Sequence, residues 1–293
     1  MKKLLLIALM IFALPIAAQS LRRDMLVSAD WLAENLDNVI LVDVGERAEY
    51  DAAHIPGARL IEREQLVTVR NGIPNELPAV ADLEAAFTEA GIGNRGRIVL
   101  YGRDQLLAAR AWFTLDYLGH GSRTALLDGG LPHWIALGKP VSTETAAVRP
   151  EPLQARVNQN AVTPFKAVRE LVRFLEVMGD SLVIIDARSP VQFRGKEPGR
   201  DIGRAGHIPG AVNVAWDDNF TLGEVSRFLP ERELRELYKD AKVSSQSTNV
   251  VYCRTGMEAS VTYFVLRYLG YDASLYDGSY YEWNRQEAVP VAK

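Results

Sequence analysis

No disulfide can form within this chain, because only one of its residues, Cys253, is a cysteine. The four histidines, His54, His120, His133 and His207, have no ligand spacing among them, and one thiol cannot build a thiolate cage, so the sequence offers no metal site. A glycine-rich phosphate loop followed by Lys and Ser or Thr is missing, as is a dinucleotide fingerprint. Basic charge is not in excess: the formal net charge is −4, which gives no footprint for nucleic acid or for a basic membrane face. After Leu14 no stretch is long and apolar enough to span a bilayer as a helix.

What is present starts with Met1-Lys2-Lys3, an apolar run from Leu4 to Leu14, and the small residues Ala17-Ala18-Gln19-Ser20. A charged start, a short apolar stretch and a small-residue site form an export signal, assigned to residues 1–20 and cut near Ala18 to Ser20. The expected location is the periplasm or the exterior. An uncleaved anchor is the alternative, but the apolar run is short for a permanent span. No cysteine follows the cut, which argues against lipid attachment there. Structural cysteines of exported proteins come in pairs, so a lone one points to a thiol that reacts. The remaining length suits one large domain or two ordinary ones.

Cys253 sits in Val250-Val251-Tyr252-Cys253-Arg254-Thr255-Gly256-Met257-Glu258-Ala259-Ser260. A β-branched apolar run ends at the cysteine, a short loop follows, and a helical pattern begins. A thiol at such a strand end faces a helix N-terminus, where amides and the helix dipole favour an anion. That setting lowers a thiol pKa from about 8.5 to roughly 3.5–7.5, so a thiolate nucleophile is expected. The competing reading is an inert core cysteine, since free Cys is often fully buried.

The chain also repeats itself. Ile98 to Gly119 aligns without a gap on the stretch ending at Gly270, with Tyr101 on Tyr252 and Tyr117-Leu118-Gly119 on Tyr268-Leu269-Gly270. Leu41-Val42-Asp43-Val44 matches Ile184-Ile185-Asp186-Ala187, and His54-Ile55-Pro56-Gly57-Ala58 matches His207-Ile208-Pro209-Gly210-Ala211. Leu127-Asp128-Gly129-Gly130 matches Tyr276-Asp277-Gly278-Ser279. Ordered matches at near-constant offset imply a duplicated domain. The halves are placed at 21–141 and 161–293, with 142–160 as a surface linker carrying Pro150 and Pro152. In the second half, strands are predicted over Leu182 to Asp186, Ala211 to Val214, Asn249 to Tyr252 and Ala273 to Tyr276. Helices are predicted over Phe165 to Met178, Glu231 to Lys239 and Glu258 to Leu269. The alternation implies an α/β fold, each half a mostly parallel sheet flanked by helices. Ligands of such sheets sit beyond the carboxyl ends of strands, where Cys253 lies. Its counterpart in the first half is Gly102, so that half has no nucleophile and is expected to serve as structure and as a wall of the cleft.

These residues resemble the two-domain rhodanese family, the sulfurtransferases, over essentially the whole mature chain. The resemblance rests on the duplicated Asp-bearing strand ends and His-Ile-Pro-Gly-Ala turns, the Cys-Arg-Thr-Gly loop, and Asp277-Gly278-Ser279 followed by Trp283. It implies two tandem rhodanese-like domains with the second catalytic. It also implies a ping-pong cycle in which Cys253 takes a sulfane sulfur, holds it as a persulfide and passes it to a thiophilic acceptor. No organic cofactor is implied, the cysteine persulfide being the working group. The acceptor would be cyanide, a small thiol or a thioredoxin-like protein, and a monomer is expected, since a duplicated two-domain chain can be complete without a second copy.

A buried persulfide anion needs a cradle, expected from the amides of Arg254, Thr255, Gly256, Met257, Glu258 and Ala259. Gly256 suits a loop position with positive φ. Arg188, Arg194 and Arg254 match family positions that bind the anionic donor. Arg200 and Arg204 are expected to be solvated loop charges. Asp186 is expected to order a strand end rather than do chemistry. His54 and His207 recur in both halves, which favours a structural turn hydrogen bond over general-base work. Tyr280 and Trp283 shape the pocket mouth or pack in the core.

The loop is a hybrid of two family patterns. Members that use thiosulfate resemble it at Arg254 but carry a cation where this chain has Thr255. Members that use 3-mercaptopyruvate have Gly after the cysteine and a small hydroxyl residue next. Arg254 beside a dianion favours thiosulfate. Glu258 would oppose an anionic donor if it pointed inward, and it is expected to point outward. A cysteine phosphatase needs Arg six residues after the cysteine, where Ala259 stands, so that activity is set aside. A non-catalytic sulfur carrier working with a partner protein is the other alternative.

Overall fold

The computed structural model describes residues 22–293; the predicted leader at 1–20 lies outside them. Two parallel sheets form the two halves. The first runs in the order Leu26–Val27, Thr124–Leu127, Arg97–Tyr101, Val39–Gly45, Arg59–Glu62. The second runs Ala273–Leu275, Thr248–Tyr252, Leu182–Asp186, Val212–Asn213. Its four strands repeat the last four of the first sheet in order and in register. Asp43 pairs with Tyr101 across the first sheet as Asp186 pairs with Tyr252 across the second. The fifth position of the second sheet is reduced to one parallel bridge between Val162 and Leu275.

The central strands are apolar on both faces, Val-Ile-Leu-Val in one half and Leu-Val-Ile-Ile in the other, because helices cover both sides of a parallel sheet. Phe165–Met178 and Leu182–Asp186 form over their predicted ranges. The strand predicted at Ala211 to Val214 is only Val212–Asn213, since the Asn213 side chain turns back to donate to the Asp186 and Arg188 carbonyls. The segment 142–160 runs over the first half, with the Glu151, Arg156 and Asn158 amides bonded to the Thr88, Leu118 and Tyr117 carbonyls.

The halves share one core. The helix Gln105–Tyr117 packs on its counterpart Ala259–Tyr268. Trp112 meets Phe264 edge-on at 5.1 Å, Phe113 meets Tyr263 at 5.1 Å, and the Tyr263 hydroxyl donates to Asp116 at 2.6 Å. Edge-to-face pairs add about 0.5–1.5 kcal/mol each beyond their burial. A second bridge is the antiparallel hairpin Thr68–Arg70 and Ile73–Glu76, an insertion of the first half that reaches the loop after Cys253. Among the described residues no helix is long and apolar enough to cross a membrane.

Candidate active site

The strand Thr248–Tyr252 ends at Cys253, and the next helix starts only at Ala259. The intervening loop folds back over the sulfur. The Gly256 amide donates to Cys253 Sγ at 3.1 Å, and the Thr255 and Ala259 amides also act on the thiol. Three of the six expected cradle amides thus serve the sulfur. The helix has no side-chain N-cap, so its first amides are left for that purpose. Gly256 has φ +85°, and a methyl group there would lie 2.9 Å from both Asp277 O and Asp277 Oδ1. Only glycine fits that curl.

The thiol does not carry the depressed pKa expected of it. Cys253 is 1 % exposed, and burial, followed by the Glu258 carboxyl, pushes it up to about 12 against the pull of the three amides. The expectation treated the helix terminus as the dominant influence, whereas desolvation of a fully enclosed sulfur outweighs it. Glu258 is also placed differently from the sequence expectation. Its side chain turns inward beside the Cys253 thiol, and the two groups act on each other's protonation. Oε2 is buried with no hydrogen-bond partner. Burial raises the Glu258 pKa, while the thiol, Arg254 and Arg188 lower it and Asp186 adds to the rise.

The three predicted arginines differ in setting. Arg254, half-buried in the loop and four residues before Glu258, lowers the pKa of that carboxyl through its charge. Arg188 is 1 % exposed, and its fork is already engaged: Nε and Nη2 bond Asp186, the latter at 2.5 Å, and Nη2 also reaches Gly206 O. Its guanidinium lies 4.0 Å from the Tyr280 ring centroid, and Nη1 alone is left buried without a partner. Asp186 holds this arginine charged and also accepts from its amide at 3.0 Å. Arg194 is exposed at the end of the short helix Pro190–Phe193 and is not among the main charges acting on the thiol or Glu258.

The loop is fastened from several sides. Tyr280 and Tyr281 amides donate to the Cys253 and Arg254 carbonyls, and Ser260 Oγ donates to Gly256 O. The other fastenings come from the half without a thiol. Asn75 Nδ2 donates to Thr255 Oγ1 at 2.9 Å. Arg110, fully buried, bonds Asp277 Oδ1 at 2.8 Å and Asn75 O at 2.8 Å, while the Leu77 amide takes Asp277 Oδ2. Sequence reasoning did not find Asn75 and Arg110. Arg110 carried a signal: it stands in the helix stretch Ala108-Ala109-Arg110-Ala111-Trp112-Phe113, where a cation has no polar face to occupy and must be paired.

The remaining singled-out residues are mostly braces. His54 Nδ1 meets Tyr50 O, with its ring stacked on Tyr50, and His207 Nδ1 meets Phe193 O, with its ring stacked on Phe193. Trp283 is fully buried and donates to Pro290 O; Tyr280 is fully buried and donates to Arg204 O. Arg200 is exposed beside Asp201. Arg204 is not a solvated loop charge: it bonds the carbonyls of Asn284, Val289, Trp283 and Gln286 and so ties the C-terminal segment to its loop.

Two regions, 28–137 and 171–286, match the rhodanese-like domain family. A protein of Mycobacterium leprae that bears the provisional name thiosulfate sulfurtransferase is 33 % identical over 92 % of this chain and 98 % of its own. The sulfur carrier protein TtuD of Thermus thermophilus is 32 % identical over 92 % and 97 %. The crystal structure of the 3-mercaptopyruvate sulfurtransferase SseA from Escherichia coli superposes with a TM-score of 0.73 at 27 % identity, covering 87 % of this chain and 98 % of that one. The two matched regions coincide with the two sheets, and this chain belongs to the rhodanese-like sulfurtransferase family.

Proposed function

We propose that the protein moves a sulfane sulfur from thiosulfate to cyanide or another thiophilic acceptor through a persulfide on Cys253. The sulfur of Cys253 attacks the outer sulfur of the donor, the donor S–S bond breaks, and sulfite leaves. The acceptor then takes the terminal sulfur, and the Cys253 sulfur is freed. The observation that carries this reading is the ring of Thr255, Gly256 and Ala259 amides around Sγ, which suits one extra sulfur atom bearing negative charge. Arg254 supports the thiosulfate preference, and the free Nη1 of Arg188 supports anion binding deeper in the cup. Arg194 is proposed as an outer contact for the donor.

Thiocyanate formation from thiosulfate and cyanide tests this reading, with 3-mercaptopyruvate as the competing donor. Arg254→Gly is expected to reduce thiosulfate use by roughly tenfold to a hundredfold, the worth of one charged hydrogen bond. An unchanged ratio between the two donors would remove the case for thiosulfate. The likeness to TtuD favours a second reading, a carrier that forms the persulfide and hands it to a thioredoxin-like or other partner protein. Persulfide formation without turnover on cyanide would select it.

A further inference from the structure

We propose that Glu258 is the proton acceptor of Cys253, so that the cup keeps one negative charge throughout the cycle and moves it between carboxylate and sulfur. The inference deepens the persulfide reading and rests on it for the sulfur steps. Its ground is the enclosure of the sulfur and the burial of a Glu258 oxygen that has no hydrogen-bond partner. The sulfur is enclosed by three amides, all of them donors, so none can receive the thiol proton. Glu258 is the acidic side chain turned to the thiol, and its Oε2 is buried with no hydrogen-bond partner. An unpartnered buried acceptor is costly unless it has work to do. The other charges facing the pair are Arg254, Arg188 and Asp186, and Arg188 is already bound to Asp186.

The charges balance at each step. The resting cup holds Cys253 as a thiol and Glu258 as a carboxylate. On attack the thiol proton passes to Glu258, the sulfur bonds to the sulfane sulfur, and sulfite departs with the electron pair of the broken S–S bond. The persulfide is then the single anion, beside a neutral carboxylic acid. When cyanide removes the terminal sulfur as thiocyanate, the released thiolate takes the proton back. Without this handover two anions would share an enclosed site, which like-charge repulsion and desolvation both oppose.

The test is the pH dependence of two reactions at Cys253: sulfur uptake from thiosulfate in a single turnover, and alkylation by neutral iodoacetamide. Alkylation needs the same proton loss but no sulfur donor. The wild type should slow in both as Glu258 becomes protonated at low pH. In Glu258→Gln that acid limb should vanish, and both rates should fall about a hundredfold at neutral pH, as for loss of a general base, then climb as the pH rises. Glu258→Asp, which keeps a carboxyl, should retain the acid limb and stay within about tenfold of the wild type; it carries the test if the Gln variant does not fold. Variants as fast as the wild type or faster at neutral pH would overturn the proposal, leaving Glu258 as a charge that only restrains the thiol. If the wild type is alkylated with an acid limb but takes up no sulfur, the persulfide reading fails while the proton handover stands.

Discussion

Asp43 and Asp186 stand at equivalent strand ends, each paired across the sheet with a tyrosine, Tyr101 or Tyr252, whose hydroxyl accepts from the isoleucine amide of the adjoining His-Ile-Pro turn at 2.9 or 3.1 Å. Up to this point the halves are alike. Two residues on, the first half has Gly45 where the second has Arg188, and at the neighbouring strand end it has Gly102 where the second has Cys253. The loops diverge accordingly. In the first half Asp104 caps the helix through the Leu107 amide, and the helix starts at Gln105. In the second the corresponding residues form the loop whose amides meet the sulfur, and the helix starts three positions later in the alignment. One fold thus yields a closed, capped helix or an anion cup, depending on whether a side chain or a sulfur takes the first amides.

Replacing the thiol breaks the contrast most severely. Cys253→Ser should reduce thiocyanate formation by roughly 10⁴-fold or more, as for loss of a nucleophile. Gly102→Cys should not create a second centre, because a Cβ at 102 would lie 2.8 Å from Val44 O and the local amide is already capped. Measurable activity in the double variant would show that the first half retains a usable cup.

Giving the second half the glycine of the first is the next test. Arg188→Gly leaves Asp186 buried without its cation, and breaking such a pair costs roughly 3–5 kcal/mol. Urea unfolding reads this directly; a cost below about 1 kcal/mol would mean that Asp186 is satisfied by other groups. Arg110→Met probes the dependence of one half on the other. It removes the cationic partner of Asp277, leaving the Leu77 amide, and frees Asn75, so sulfur transfer should fall about tenfold although Arg110 lies in the half without a thiol. Full activity would make the hairpin contact to Thr255 dispensable.

The smallest effect is expected at Asp43, which lacks the arginine that Asp186 enjoys. Burial raises its pKa to about 6. A raised carboxyl binds protons more tightly in the folded state, so stability is full below the ordinary Asp value of about 4 and declines as the pH rises towards about 6. Asp43→Asn should lack that decline and be more stable than the wild type at pH 7, on the order of 1 kcal/mol once the altered Tyr101 contact is counted. Parallel stability curves for the two proteins across this range would contradict the assignment.

Much of this contrast was legible in the sequence. Apolar runs ending at Asp186 and Tyr252, the repeated turns and the Cys-Arg-Thr-Gly loop located the strand ends and the anion cup, because strand length, turn chemistry and helix starts are local properties. Two features were not local. Glu258 reads as a favourable surface residue near a helix start, and its inward turn depends on what the fold leaves over the thiol. The elevated thiol pKa follows from the same enclosure. Asn75 bonds Thr255 of the loop from 180 positions away and Arg110 bonds Asp277 behind it from 167, and only the docking of the two halves brings them there.

The most direct measurement is the mass of the Cys253 peptide after the purified protein has met thiosulfate. A gain of one sulfur atom on that peptide, removed by cyanide with formation of thiocyanate and missing in Cys253→Ser, is the predicted result. An unchanged peptide mass, with thiocyanate still produced, would contradict the persulfide at its root.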